Sequence, residues 1–122
     1  MAIVEVHTEE ELDTILTQSE TDVVIVKLGA EWCRPCQLLQ PHLELLASEL
    51  QEKQRGGRFV TVEKTEDTEP IFEKYEITKL PTVLLVVNGE VKQTLARPDP
   101  DTLRTQVFTL TPPPPLVLDE DF

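Results

Sequence analysis

Cys33 and Cys36 are the only thiols of the chain, and they stand two residues apart in Trp32-Cys33-Arg34-Pro35-Cys36. A two-residue spacer on the first turn of a helix brings two sulfurs within disulfide reach, so the pair reads as a redox dithiol. Upstream, Val23-Val24-Ile25-Val26 has the unbroken apolar character of a buried strand. Downstream, Leu38, Leu39, His42, Leu43, Leu45, Leu46 and Leu50 recur at roughly helical spacing. Cys33 is therefore expected at a helix N-terminus, where unpaired N–H groups and the helix dipole favour a thiolate. A zinc site has less support. There is no second cysteine pair, and the two histidines, His7 and His42, lack ligand spacing. Neither a metal nor a bound cofactor is expected.

The elements that must position this pair are bounded by composition. With 122 residues and 39% hydrophobic content, the chain suits one domain with a real core. Its net charge of −12 repels phosphate backbones and anionic lipid headgroups, so neither nucleic acid nor a membrane surface is an expected partner. Lys53, Arg55 and Arg58 are the nearest approach to a basic patch and read as a solvated loop. Met1-Ala2-Ile3-Val4-Glu5 has neither a basic region nor a long apolar core, and no segment approaches a membrane span. A lone Cys-x-x-Cys fits a reducing compartment, and a cytoplasmic location is expected.

Along the chain, Ala2 to Val6 reads as a short strand. Thr8-Glu9-Glu10-Glu11 then opens a helix with a capping box and turns Leu12, Ile15 and Leu16 inward. A second strand is expected from Asp22 to Leu28. The helix after the dithiol contains Pro41, which should kink it, and Gln54-Arg55-Gly56-Gly57 ends it. Phe59 to Val62 reads as a strand, Glu69 to Tyr75 as a short helix and Thr82 to Val87 as a strand. Asn88-Gly89 makes a tight hairpin into Glu90 to Ala96. Asp99-Pro100-Asp101 caps a last helix with Leu103, Val107 and Leu110 facing in. Strands that alternate with helices and then close in a hairpin imply an α/β fold with a mixed sheet and helices on both faces.

From Ile3 to Phe108 the chain resembles the thioredoxin family. The resemblance rests on Ala30-Glu31-Trp32-Cys33 with Pro35-Cys36, on Pro41, on Tyr75-x-Ile77 before Leu80-Pro81-Thr82, and on Val83-Leu84-Leu85 leading to Asn88-Gly89-Glu90. It implies the thioredoxin fold with a five-stranded sheet, residues 1–110 as the domain and 111–122 as a Pro-rich acidic tail. By the same resemblance Cys33 is the exposed attacking thiolate and Cys36 the buried resolving thiol. Pro81 is the cis-proline beside them, and Trp32 shields the site. The implied function is a thiol–disulfide oxidoreductase acting on protein disulfides, recharged by a separate reductase.

Five departures from the family pattern bear on that implication. Lys27 stands where the family carries a buried aspartate that helps deprotonate the resolving cysteine. It is open to pairing with Glu63, to pairing with Glu31, or to pointing out of a shifted strand. Counting back from Pro81 places Val62 where bacterial relatives carry a partner lysine. Arg34 replaces the usual glycine between the cysteines. Its charge favours the Cys33 thiolate and a less reducing couple, unless solvent screens it. Arg97 stands near a customary glycine of the substrate groove. In the tail, Pro112-Pro113-Pro114-Pro115 forms a stiff rod before Leu116-Val117-Leu118 and an acidic end. That segment reads either as an anchor for a protein partner or as a solubilising extension. The alternative function is a thioredoxin-fold adaptor, resembling the light chains of axonemal dynein, with a sensing or vestigial dithiol.

Overall fold

The computed structural model describes residues 3–18 and 22–111, so the Pro-rich and acidic stretch 112–122 lies outside the described residues. The elements run β1 (Ile3–Val6), α1 (Glu9–Gln18), β2 (Val23–Gly29), α2 (Arg34–Glu52), β3 (Arg58–Glu63), α3 (Glu69–Lys74), β4 (Thr82–Val87), β5 (Glu90–Ala96) and α4 (Pro100–Leu110). The five strands form one sheet in the order β1-β3-β2-β4-β5. The β1–β3 and β3–β2 pairs are parallel, and the β2–β4 and β4–β5 pairs antiparallel. This is the expected mixed sheet of a thioredoxin fold.

Burial on both faces explains why β2 and β4 are nearly all apolar. Val24, Val26 and Leu28 of β2 join Val60 and Val62 of β3 in a core that includes Leu12, Leu16, Ile71 and Phe72 from α1 and α3. Val23 and Ile25 point the other way, with Phe59, toward Leu39, Leu43, Leu46 and Leu50 of α2 and Leu103 and Val107 of α4. The strand period of two thus sorts successive residues between two cores. Lys27 and Gly29 fall on the α2 face.

Local chemistry sets the ends. Thr8 Oγ1 accepts from the Glu11 N–H at 3.2 Å, opening α1. Asp99 caps α4, its Oδ1 accepting from the Thr102 N–H at 2.8 Å. Asn88 and Gly89 both have positive φ, 53° and 75°, as a two-residue hairpin requires. α2 is continuous through Pro41.

Two expectations need correction. Arg55 is not part of a solvated loop. Its Nη2 donates to the carbonyls of Phe108 and Thr111, each at 2.9 Å, and its guanidinium lies 4.8 Å from the Phe108 ring centroid. It satisfies the last carbonyls of α4, which otherwise lack partners. For the same reason Thr111 belongs to the domain and not to the tail: it is buried, and its Oγ1 donates to the Val107 carbonyl at 3.0 Å.

Candidate active site

β2 ends at Gly29, and the chain turns through Ala30, Glu31 and Trp32 to place Cys33 as the N-cap of α2. Cys33 Sγ accepts from the Cys36 N–H at 3.3 Å, so the sulfur lies where an N-cap oxygen would, against the positive end of the helix. Pro35 costs nothing there, because the first-turn N–H groups have no intrahelical acceptor. Cys33 and Cys36 are joined by a disulfide, with their Cα atoms 5.3 Å apart.

Relative exposure is 6% for Cys33 and 1% for Cys36. The order between them matches expectation, but Cys33 is not openly exposed in the bonded form. The bond turns its sulfur toward Cys36, and Ala30 and Leu80 pack on the pair. Trp32 does not supply this cover. It lies in the turn ahead of α2 and is 75% exposed. Arg34 begins α2 with an exposed side chain, so any charge it lends the dithiol acts through solvent and is screened by salt.

Two concave surfaces flank the dithiol. The first, a groove of about 300 Å³, is lined by Pro35, Leu38, Leu39, His42, Pro81 and Arg97, among others. The Leu80–Pro81 bond is cis. Arg97 braces this segment: its N–H donates to the Pro81 carbonyl at 2.7 Å and its Nε to the Leu80 carbonyl at 3.1 Å. It adopts φ 47°, a conformation that favours glycine and is uncommon for a side chain of this size.

The second surface lies behind Cys36, a cavity of about 480 Å³ whose lining includes Lys27, Cys36, Gln40 and Glu63. Lys27 points inward and is only 4% exposed. β2 is not shifted: Lys27 pairs with Thr61 on one side and Val83 on the other. Its Nζ donates to Gln40 Oε1 at 2.9 Å. Burial pushes the lysine below its ordinary pKa, and the carboxylates of Glu63 and Glu44 work against that shift. Val62, the position reached by counting, is wrong for a partner because it points into the opposite core. Glu63, one residue on, shares the face of Lys27. Gly29 completes the cavity wall. A Cβ there would stand 3.0 Å from Cys36 Sγ and 3.4 Å from Lys27 Cε, so the bare backbone lets Cys36 pack against β2. Gln40 and Gly29 were not picked out from sequence. Gln40 is four residues past Cys36, hence on the same side of α2, and that spacing was the available signal.

The sequence profile of the Thioredoxin family matches residues 3–108. The chain belongs to the thioredoxin family. Its curated relatives include the thioredoxin of Rickettsia bellii, 39% identical over 71 residues, covering 58% of this chain and 64% of that protein. The thioredoxin of Chlamydia trachomatis is 37% identical over 84 residues, 66% of this chain and 76% of the relative. Mouse mitochondrial thioredoxin is 37% identical over 76 residues, 62% and 43%. The match thus spans less than two thirds of the Rickettsia and mouse proteins. Among solved structures, Plasmodium falciparum thioredoxin superposes with a TM-score of 0.77 at 28% identity, covering 88% of this chain and 98% of that one. Oxidised mitochondrial thioredoxin 3 of Saccharomyces cerevisiae gives 0.77 at 25%, covering 88% and 95%. Within this thioredoxin-family frame, Cys33, Pro35, Cys36 and Pro81 occupy one end of the sheet, whereas Lys27 and Glu63 put charge behind the dithiol.

Proposed function

We propose that this protein is a thiol–disulfide oxidoreductase acting on protein disulfides. The observation that carries the reading is the Cys33–Cys36 disulfide at the N-terminus of α2, next to an apolar groove formed by Pro35, Leu38 and Pro81. In the reduced protein, the Cys33 thiolate attacks one sulfur of a substrate disulfide. A Cys33–substrate bond forms and the substrate's second sulfur leaves as a thiolate. Cys36, deprotonated, then attacks Cys33 Sγ. The mixed disulfide breaks, the Cys33–Cys36 bond forms, and the two dithiol electrons rest on the substrate, whose thiolates take up protons from solvent. A separate reductase of the thioredoxin-reductase kind returns the dithiol to its starting state. That Cys33 and Cys36 are the only thiols supports a reducing compartment, the cytoplasm.

The test is reduction of insulin disulfides with an exogenous thiol as electron source, together with trapping by Cys36→Ser. An oxidoreductase accelerates insulin reduction, and Cys36→Ser accumulates mixed disulfides on Cys33. An adaptor with a vestigial dithiol gives neither and instead migrates with a large assembly in native extract. A protein partner for residues 112–122 is tested by deleting them, which should leave insulin reduction intact.

A further inference from the structure

The cavity behind Cys36 contains more charge than disulfide exchange at Cys33 requires. Lys27 comes from β2, Glu63 from β3, Glu5 from β1 and Glu31 from the turn before α2, all lining one cavity, and Glu44 of α2 acts on Lys27 from beside it. These carboxylates are not equivalent. Glu5 is exposed and bonded to His7, Glu44 is exposed and accepts from Gln40 Nε2 at 3.3 Å, and Glu31 is exposed. Glu63 Oε2 is buried and, among the described residues, has no hydrogen-bond partner. It is thus the carboxylate least screened by water or by a competing donor.

Register brings Glu63 to Lys27. Lys27 pairs with Thr61 and Gly29 with Glu63, so Glu63 is the next residue on the lysine's face of β3. The end of β3 is also fixed: Lys64 N–H donates to the Gly29 carbonyl at 2.8 Å, and Thr68 Oγ1 donates to the Glu63 carbonyl at 2.6 Å. Lys27 and Cys36 in turn line the same cavity and both border Gly29. One point, the Cβ position that Gly29 leaves empty, is 3.0 Å from Cys36 Sγ and 3.4 Å from Lys27 Cε. A charge on Lys27 therefore lies close enough to act on the resolving sulfur.

We propose that Glu63 is a positioning residue acting on Cys36 through Lys27: its carboxylate keeps the buried ammonium charged, and that ammonium holds the Cys36 thiolate which resolves the mixed disulfide. This rests on the oxidoreductase reading for its role in turnover, but the electrostatic chain is testable without any substrate. In the resolving step, Cys36 gives its proton to solvent by way of the cavity, and its thiolate attacks Cys33 Sγ. The Cys33–substrate bond breaks, and the departing thiolate is protonated from solvent. Lys27 keeps its proton throughout, supplying charge only. Gln40 Oε1, accepting from Nζ, favours that charged form.

The experiment titrates the Cys36 thiolate by its far-ultraviolet absorbance in the full-length Cys33→Ser variant, with circular dichroism to check the fold. Adding Glu63→Gln should raise the Cys36 midpoint by about one pH unit, because an uncompensated buried lysine sheds its proton. Lys27→Met should raise it at least as far, and Glu63→Gln should raise it no further in the Lys27→Met background. Glu63→Asp, keeping the charge, should leave the midpoint near that of the Cys33→Ser parent. An unchanged or lowered midpoint in Glu63→Gln, or an equal rise whether or not Lys27 is present, overturns the proposal. Lys27→Met is a second arm should Glu63→Gln not fold: a midpoint no higher than the parent's also overturns it. Failure of insulin reduction alongside these shifts would reject the enzymatic reading and leave the electrostatic chain standing.

Discussion

The two sides of the dithiol differ in chemistry although one helix serves both. On one side Pro35, Leu38, Leu39 and Pro81 form an apolar groove with Arg97 at its margin. On the other, Lys27, Gln40 and Glu63 form a polar cavity that Cys36 itself lines. The apolar side offers shape and apolar area, which on the proposed reading take up a substrate segment without moving protons. The polar side has no such surface, and its groups can change the charge on a sulfur. On the proposed reading recognition belongs to the groove and proton handling to the cavity, so substitutions on each side should register in different kinetic constants.

The largest effect should come from the boundary between them. Cys33→Ser should reduce insulin-reducing activity by more than about a hundredfold, since the remaining thiol, Cys36, is buried at 1% exposure. Activity surviving within a few-fold would remove Cys33 from the role of nucleophile. Gly29→Ala would crowd the polar side: its new methyl group would stand 3.0 Å from Cys36 Sγ and push it away by a few tenths of an ångström. Overpacking of this kind costs about 1–3 kcal/mol, measured by denaturant unfolding of the oxidised protein. A variant as stable as the parent would show that Cys36 and β2 separate easily.

Leu38→Asp tests the other side. Leu38 is 59% exposed, so the fold should tolerate the change, while an apolar contact is lost from the groove. KM for insulin should rise about three- to tenfold with kcat nearly constant, the signature of lost uniform binding. A fall in kcat at constant KM would blur the division between the two sides.

The smallest effect belongs to groups that line neither surface. Hydrogen bonds from Thr102 hold the Asp99 carboxyl below its usual pKa, and Arg104 does the same for Glu49, which accepts from Arg104 Nη2 at 2.6 Å. Folded values below unfolded ones mean that this stability is present at neutral pH. It is lost as pH falls from about 4 through the lower folded values. Asp99→Ala should therefore lower Tm at pH 7 by more than it does at pH 3. An equal loss at both would mean that the cap contributes nothing through its charge.

Much of this molecule is written locally. Thr8 with Glu11, Asn88-Gly89 and Asp99-Pro100 fix element ends through bonds or dihedrals that span four residues or fewer, so their signals survive without tertiary context. The alternation of Phe59, Thr61 and Glu63 carried the face of β3, but counting back from Pro81 crossed the loop and α3 and ran one residue past Glu63, to Val62. In a strand that error reverses the side, which is why Val62, and not Glu63, came out at the position of the bacterial partner lysine.

Cys33 and Cys36 with Pro35, the helix that begins at them, and the hairpin were determined by the sequence alone, because each depends on neighbours in the chain. The inward turn of Lys27, its bond to Gln40 and the contact of Cys36 with the bare backbone of Gly29 were decided only by tertiary structure. So were the unshared oxygen of Glu63 and the clamp of Arg55 on α4. The physical reason is the same in each case. A charged side chain's partner is chosen by which strands and helices pack together and in what register; spacing puts Gln40 on the Cys36 side of α2 but does not say which strand residue faces it.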